Sequence, residues 1–258
     1  MEKMKLSLSN GVFSRFSIEE NFKAIKKLGF ENIEFNMKAV RKEDDTDVYR
    51  EQKALESSGL DCLSLHSACL NVRDPIEVHQ AVYYGKISLE CAHALRAPIV
   101  TVHSNVAKNL PMQTREKCLS LIFKEIKRFA DELGIKLSLE NLSNTSTGFG
   151  VDFEQLDEIF SIIDPKQEMG LTFDFCHALE SNQGSELLKI YSNRLCNVHM
   201  ANVDHQPFLR STVKLDNFFS QLNEVGYQGP ITLELNKKTS IEKIIKTKML
   251  FEKMINRY

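Results

Sequence analysis

The heptapeptide Leu171–His177, Leu-Thr-Phe-Asp-Phe-Cys-His, sets a carboxylate and an imidazole three positions apart at the end of an apolar stretch. Leu171, Phe173 and Phe175 alternate with Thr172 and Asp174, the period of a strand whose two faces differ. A carboxylate there needs a positive or hydrogen-bonding partner, so Asp174 is either a satisfied structural group or a ligand or catalyst. The same arrangement recurs along the chain. Ser64 precedes His66 by two residues, as Thr101 precedes His103, Ser138 Glu140, Asn197 His199, Thr232 Glu234 and Asn32 Glu34. Each pair shares one face of a short strand, and apolar residues occupy the other. The terminal members stand at 34, 66, 103, 140, 174, 199 and 234, in steps of 32, 37, 37, 34, 25 and 35. Imidazoles and carboxylates in such a series are donors for a divalent cation and carriers of protons in acid–base catalysis.

Those steps match one strand of about 5 residues, one helix of about 12 and two loops. Lys5–Ser9 reads as the first strand. Ser17 is a good N-cap for a helix from Ile18 to Leu28, and Gly29 stops it before a second strand through Phe35. Helical spacing continues at Thr46–Ser58, Ile76–Leu95, Thr114–Leu133, Asp152–Ile163, Ser185–Tyr191, Lys214–Val225 and Ser240–Ile255. The apolar stripe of the helix over 114–133 is core packing. Gly-Phe-x-x-Ile-Glu at 29–34 and Gly-Tyr-x-Gly-Pro-Ile-Thr-Leu-Glu at 226–234 read as two copies of one unit. Regular strand–helix alternation requires parallel pairing. An open doubly wound sheet would carry a glycine-rich nucleotide turn after its first strand, and Ser9-Asn-Gly-Val is a poor one. Every candidate residue lies at the C-terminal end of a strand, where active groups of a closed barrel gather. The expectation is an α/β protein, a (β/α)8 TIM barrel forming a single domain over 1–258.

The bulk composition agrees with a soluble enzyme. Hydrophobic residues make up 42% of the 258 and charged ones 26%, enough for a large core. A net charge of −2 gives no electrostatic case for nucleic acid or an acidic membrane as partner. No apolar run approaches the ~20 residues of a membrane span, and no signal-peptide pattern follows Met1. The six cysteines form no Cys-x-x-Cys pair, which points to reduced thiols and a cytoplasmic location.

Taken in order, Gly29–Glu34, Leu65–Ser67, Val102–Ser104, Leu139–Asn141, Asp174–Ala178, Asn197–His199 and Ile231–Glu234 resemble the xylose-isomerase-like TIM barrels, a superfamily of sugar and sugar-phosphate isomerases and epimerases, some dehydratases, and the endonuclease IV group. The resemblance implies that Glu140, Asp174, His199 and Glu234 ligate one divalent cation. Three carboxylates and one imidazole favour Mn²⁺ or Mg²⁺, with Co²⁺ or Zn²⁺ also compatible. It implies an isomerase or epimerase acting on a small-molecule carbohydrate, with Glu140 and Glu234 as base and acid around a metal-stabilised enediolate. His177 resembles the family histidine that holds a substrate hydroxyl. His66 and His103 are expected as substrate contacts or as ligands of a second metal.

Two other functions compete. A phosphodiesterase of the endonuclease IV kind shares these histidines and carboxylates, but that branch carries an Asp-x-His pair after its seventh-strand histidine. Here Asp204 and His205 are adjacent, with no such triplet in Met200–Asp216. A catalytically silent barrel with a binding role is the other alternative, against which stands the electrostatic cost of three carboxylates at one mouth without a cation. Glu34 reads as a substrate contact or as a buried ion-pair partner, and His205 or Arg210 as a substrate contact in a loop without a motif. Packing accounts best for Cys176, surface or packing positions for His79 and His93, and a mobile loop for 143–150, the alternative there being a phosphate cradle of backbone amides. The sequence carries no sign of oligomeric state.

Overall fold

The computed structural model describes residues 3–37, 47–181 and 184–258. Eight strands pair in chain order and close: β1 (Lys5–Ser9), β2 (Asn32–Asn36), β3 (Asp61–His66), β4 (Ile99–Val102), β5 (Lys136–Glu140), β6 (Gly170–Asp174), β7 (Leu195–Met200) and β8 (Pro230–Leu233). All eight pairings are parallel, including β8 with β1 through Lys5↔Pro230 to Leu8↔Leu233. The protein is therefore a (β/α)8 barrel, as the alternation of strand and helix patterns requires.

The helices are α1 (Ile18–Lys27), α2 (Val48–Ser58), α3 (Val78–Ala94), α4 (Met112–Leu133), α5 (Phe153–Ile163), α6 (Phe175–Ser181), α7 (Gly184–Ile190), α8 (Val213–Glu224) and α9 (Ile241–Arg257). Local chemistry sets their ends. Ser17 and Glu20 form a reciprocal capping box at α1, and Asp152 and Thr212 accept from the third residue of α5 and α8. Gly134 stops α4 in the left-handed region at φ 68°, which a residue without Cβ adopts freely. Thr46, the expected start of the second helix, lies outside the described residues. One expectation fails at Phe175. The alternation of Leu171, Phe173 and Phe175 suggests strand, yet the strand ends at Asp174 and Phe175 opens α6. The Asp174 carboxylate accepts from the His177 amide at 2.8 Å, so the residue that ends the strand also caps the helix.

The outward faces of the strands carry the apolar core. Leu8, Phe35, Leu65, Leu139, Phe173, Val198 and Leu233 are wholly buried against helix residues such as Phe22, Leu89, Ile122, Ile159, Phe219 and Phe251. The inward faces are different. In place of stacked branched aliphatics there is a layer of hydroxyls and amides bonded across the barrel: Ser7 to Thr232 at 2.7 Å, Thr101 to Thr172 at 2.9 Å, Ser138 to Thr172 at 2.7 Å and Asn197 to Thr101 at 3.3 Å. All but Ser7 are small polar residues that precede an acid or imidazole by two positions, and all are fully buried.

Register shifts interrupt two pairings, between Ile33 and Glu34 of β2 and between Leu171 and Thr172 of β6. At the second, Cys196 crowds the start of β6, where a Cβ on Gly170 would lie 2.2 Å from the Cys196 sulfur. Only glycine fits there.

Beside the N-terminal end of β6, Asp164 is wholly buried. It accepts from Lys127 at 2.8 Å, from Arg194, and from the amides of Glu168 and Met169 at 3.0 and 2.8 Å. Burial alone would raise its pKa, but Lys127 and Arg194 hold it below the usual carboxylate value. Asp164→Asn leaves two cations facing an amide and is expected to lower unfolding free energy by about 3–5 kcal/mol at neutral pH, read by denaturant titration. The native carboxyl titrates below its ordinary 3.8, so the wild-type advantage holds above that value. It is lost as pH falls through the lower native pKa, and the two proteins converge in acid.

Candidate metal centre

The C-terminal ends of β5, β6, β7 and β8 bring Glu140, Asp174, His199 and Glu234 together, with one donor atom from each lying within 4.8 Å of all the others. His199 Nδ1 stands 3.4 Å from Glu140 Oε1, 3.4 Å from Glu234 Oε2 and 4.0 Å from Asp174 Oδ2. Glu140 Oε1 and His199 Nδ1 are buried and have no hydrogen-bond partner of normal geometry. Buried polar atoms left without a partner are costly unless a ligand takes them up. The four residues thus fit a divalent cation on the geometry of their own atoms.

A second group shares Glu140. Its Oε2 lies 2.9 Å from His103 Nε2 and 3.2 Å from His66 Nε2, and these three residues also converge closely enough to hold an ion. His66 also contacts the Ser67 carbonyl through Nδ1 at 3.2 Å. The two rings meet edge to face with centroids 4.9 Å apart.

Opposite charges keep the cluster ionised in a place that disfavours ions. Burial would raise the Glu140 pKa, yet His103 and His199 hold it well below the usual carboxylate value. Glu234 is likewise low, its burial outweighed by His199. Asp174 behaves oppositely: burial and the nearby Glu140 and Glu234 push it up, against the pull of His177. Burial would lower His199, but Glu34 and Glu140 hold its proton well above the ordinary histidine range. His177 is raised too, as Asp174 and Glu140 outweigh its burial.

The remaining expected residues fall into layers. His177, in the first turn of α6, donates from Nδ1 to the Asn141 carbonyl at 2.9 Å and turns its other nitrogen away from that bond. His205 stands at the rim, its ring edge-on to His177 with centroids 5.5 Å apart and its Nδ1 bonded to the Glu234 carbonyl at 2.9 Å. Asp204 and His205 both hold positive φ, 58° and 52°, a conformation that residues with a Cβ adopt at a cost of roughly 1–3 kcal/mol. Of the two readings of Glu34, substrate contact and buried ion-pair partner, the structure gives the second: it lies beneath His199, 2.8 Å from Nε2, with no exposed surface. Arg210 is exposed, as are His79 and His93 on α3, and Cys176 is packed inside with its thiol pushed up to about 12 by burial.

Two asparagines have roles that the pattern reading did not assign. Asn141 bonds both backbone groups of Asp174, accepting from its amide at 2.8 Å and donating to its carbonyl at 3.0 Å, and so fixes the end of β6. Asn36 donates to Glu234 Oε1 at 3.4 Å. The signal for Asn36 is present in the sequence, since Asn32, Glu34 and Asn36 continue one period-two series. Above the centre, loops knit a fixed rim: Val72 pairs with Val106, Ala107 with Gly148, and Ser143 donates to Glu180 at 2.6 Å. The stretch 143–150 is this rim.

Comparison with known proteins places the chain. The model of the xylose isomerase-like TIM barrel family matches residues 22–253. Protein MJ1311 of Methanocaldococcus jannaschii is 28% identical over 188 residues, 66% of this chain but only 63% of that protein. The inosose isomerase of Halalkalibacterium halodurans is 27% identical over 199 residues, 69% of this chain and 68% of the enzyme. Among solved structures, a D-tagatose 3-epimerase-like protein superposes with a TM-score of 0.82 over 98% of both chains at 21% identity, a likeness of fold. No described helix is long and apolar enough to cross a membrane. With the family model matching nearly the whole barrel, the chain belongs to the xylose isomerase-like TIM barrel family.

Proposed function

We propose that the protein is a divalent-cation-dependent isomerase or epimerase of a small sugar or related polyhydroxy ketone. The observation that carries this reading is the convergence of Glu140, Asp174, His199 and Glu234, with two of their donor atoms buried and unpartnered. The inosose isomerase and the D-tagatose 3-epimerase-like protein bear names from the same carbonyl chemistry and support the choice of class. Three carboxylates and one imidazole are a hard donor set that favours Mn²⁺ or Mg²⁺.

When bound, the cation would withdraw charge from a carbonyl and its neighbouring hydroxyl, making the C–H between them acidic. The chain supplies the rest. Glu234 is the most accessible of the four, its side chain 18% exposed, and its Oε1 faces the Asn36 amide rather than the cluster. In this reading that oxygen takes a proton from substrate. Glu140 Oε2, 2.9 Å from His103 Nε2, returns one, with His103 as the exit toward solvent. His177 and His205 stand together beside these glutamates, where their Nε2 atoms would hold substrate hydroxyls and orient the reacting carbon. The second donor group, His66, His103 and Glu140, favours one alternative, a two-cation phosphodiesterase of the endonuclease IV kind. Asp204 and His205 do not reproduce that branch's Asp-x-His pair.

Calorimetric titration of chelated protein is expected to show Mn²⁺ uptake at one site per chain. Ligation needs the His199 Nδ1 lone pair, and the cation-free ring holds its proton above the ordinary value of 6.5. Affinity should therefore rise with pH through and above the ordinary histidine range, with a proton released on binding, and level off only above the raised pKa. A wild-type protein that takes up none of Mn²⁺, Mg²⁺, Co²⁺ or Zn²⁺ would leave only a silent barrel. For catalysis, Glu234→Gln should slow solvent deuterium exchange into a ketose substrate by about 10²–10⁴-fold. Cleavage of abasic-site DNA at enzymatic rates, with no exchange into any ketose, would favour the phosphodiesterase instead.

A further inference from the structure

Glu34 touches none of the space a substrate could reach, yet it is one of the most heavily bonded groups in the barrel. Its Oε2 receives Ser64 Oγ at 2.8 Å, Asn197 Nδ2 at 3.1 Å and His199 Nε2 at 2.8 Å, and Glu34, Ser64, Asn197 and His199 all have no exposed surface. The backbone is bent to allow this. β2 shifts register between Ile33 and Glu34, so that Glu34 pairs with Ser64 rather than Leu63. Bulges of this kind re-aim a side chain and concentrate beside functional sites.

The chemistry of that oxygen decides the state of His199. A carboxylate oxygen only accepts, so an imidazole nitrogen 2.8 Å away must bring a proton. With Nε2 protonated, the neutral ring has one lone pair left, on Nδ1, the atom that faces Glu140, Glu234 and Asp174. The other tautomer would point an N–H into three carboxylates and offer a cation nothing. The negative charge behind the ring also makes Nδ1 a stronger donor.

We propose that Glu34 is a positioning residue that fixes the Nε2–H tautomer of His199 and thereby creates the imidazole ligand of the cation site. This deepens the cation reading above and rests on it. A ligand role for Glu34 is unavailable from beneath the ring, and substrate contact is closed off by its burial. Asn197 Nδ2 also lies 3.1 Å from His199 Nε2, but its two hydrogens have acceptors in Glu34 Oε2 at 3.1 Å and Thr101 Oγ1 at 3.3 Å, so Nε2 is not required to accept from it.

The test compares Glu34→Gln and Glu34→Ala with wild type, and uses Ser64→Ala as a control that removes one donor but keeps the carboxylate. Mn²⁺ affinity is measured by calorimetry on chelated protein. In the cation-free proteins, ¹⁵N-histidine NMR at a pH where the ring is neutral reads the His199 tautomer. Both Glu34 variants should bind Mn²⁺ between about 10- and 100-fold more weakly, the alanine variant most, and Ser64→Ala less than about threefold more weakly. Wild type and Glu34→Gln should show Nε2–H, because the glutamine carbonyl can still accept, whereas Glu34→Ala should show a mixture. A wild-type Kd in either Glu34 variant, or an unchanged tautomer in Glu34→Ala, overturns the proposal. Should Glu34→Ala fail to fold, the Glu34→Gln affinity decides it. Absence of Mn²⁺ binding by wild type would instead defeat the cation reading, and the tautomer measurement would still decide the role of Glu34.

Discussion

Carboxylates and imidazoles can be placed inside a barrel only if they neutralise one another, and the rest of this structure follows from that requirement. Glu34, Glu140 and Asp174 are buried along with His66 and His199, and His177 is nearly so. Isolated, each charge would cost several kcal/mol to desolvate. Interleaved by strand order, each acid faces at least one ring: Glu140 meets His66, His103 and His199, and Glu34 meets His199 from below. The balance is incomplete at one spot, where Glu140 Oε1 and His199 Nδ1 face each other 3.4 Å apart, buried and without a hydrogen bond of normal geometry. A site that wants a cation is what such an imbalance creates.

The floor beneath the cluster makes the arrangement possible. Branched aliphatics at Ser7, Ser64, Thr101, Ser138, Thr172 and Thr232 would fill the interior and strip the acids of donors. Hydroxyls are small enough to leave room and can bond one another across the barrel, so the polar layer satisfies itself while supporting the layer above. Apolar packing is displaced to the outside of the strands, where the helices supply it.

Much of this was legible in the residues. The barrel, the strands and the set of residues at their C-terminal ends followed from period-two alternation repeated at strand–helix spacing, because a closed parallel sheet forces every such end to one side. What escaped depends on neighbours rather than on local pattern. Phe175 continues the alternation of β6, and only the capping bond from Asp174 to the His177 amide turns the chain into α6. The depth of Glu34 is set by a register shift against β3, which no single strand's sequence records. Asn141 acts through backbone groups of the adjacent strand, so its position after Glu140 carried no sign of its work. The rim loops were unreadable for a related reason: their pairings, Val72 with Val106 and Ala107 with Gly148, join segments far apart in the chain.

The cross-barrel hydroxyl pairs bear on how this interior could diverge. Thr172 is shared between Thr101 and Ser138, and Thr232 between Ser7 and Asn197, so exchanging any one of them for an aliphatic orphans a partner on another strand. Drift through such a lining has to proceed by compensated double changes, while the exposed positions of the rim above are under no such constraint. A lineage built on this scaffold would then alter what it admits far more readily than what it does.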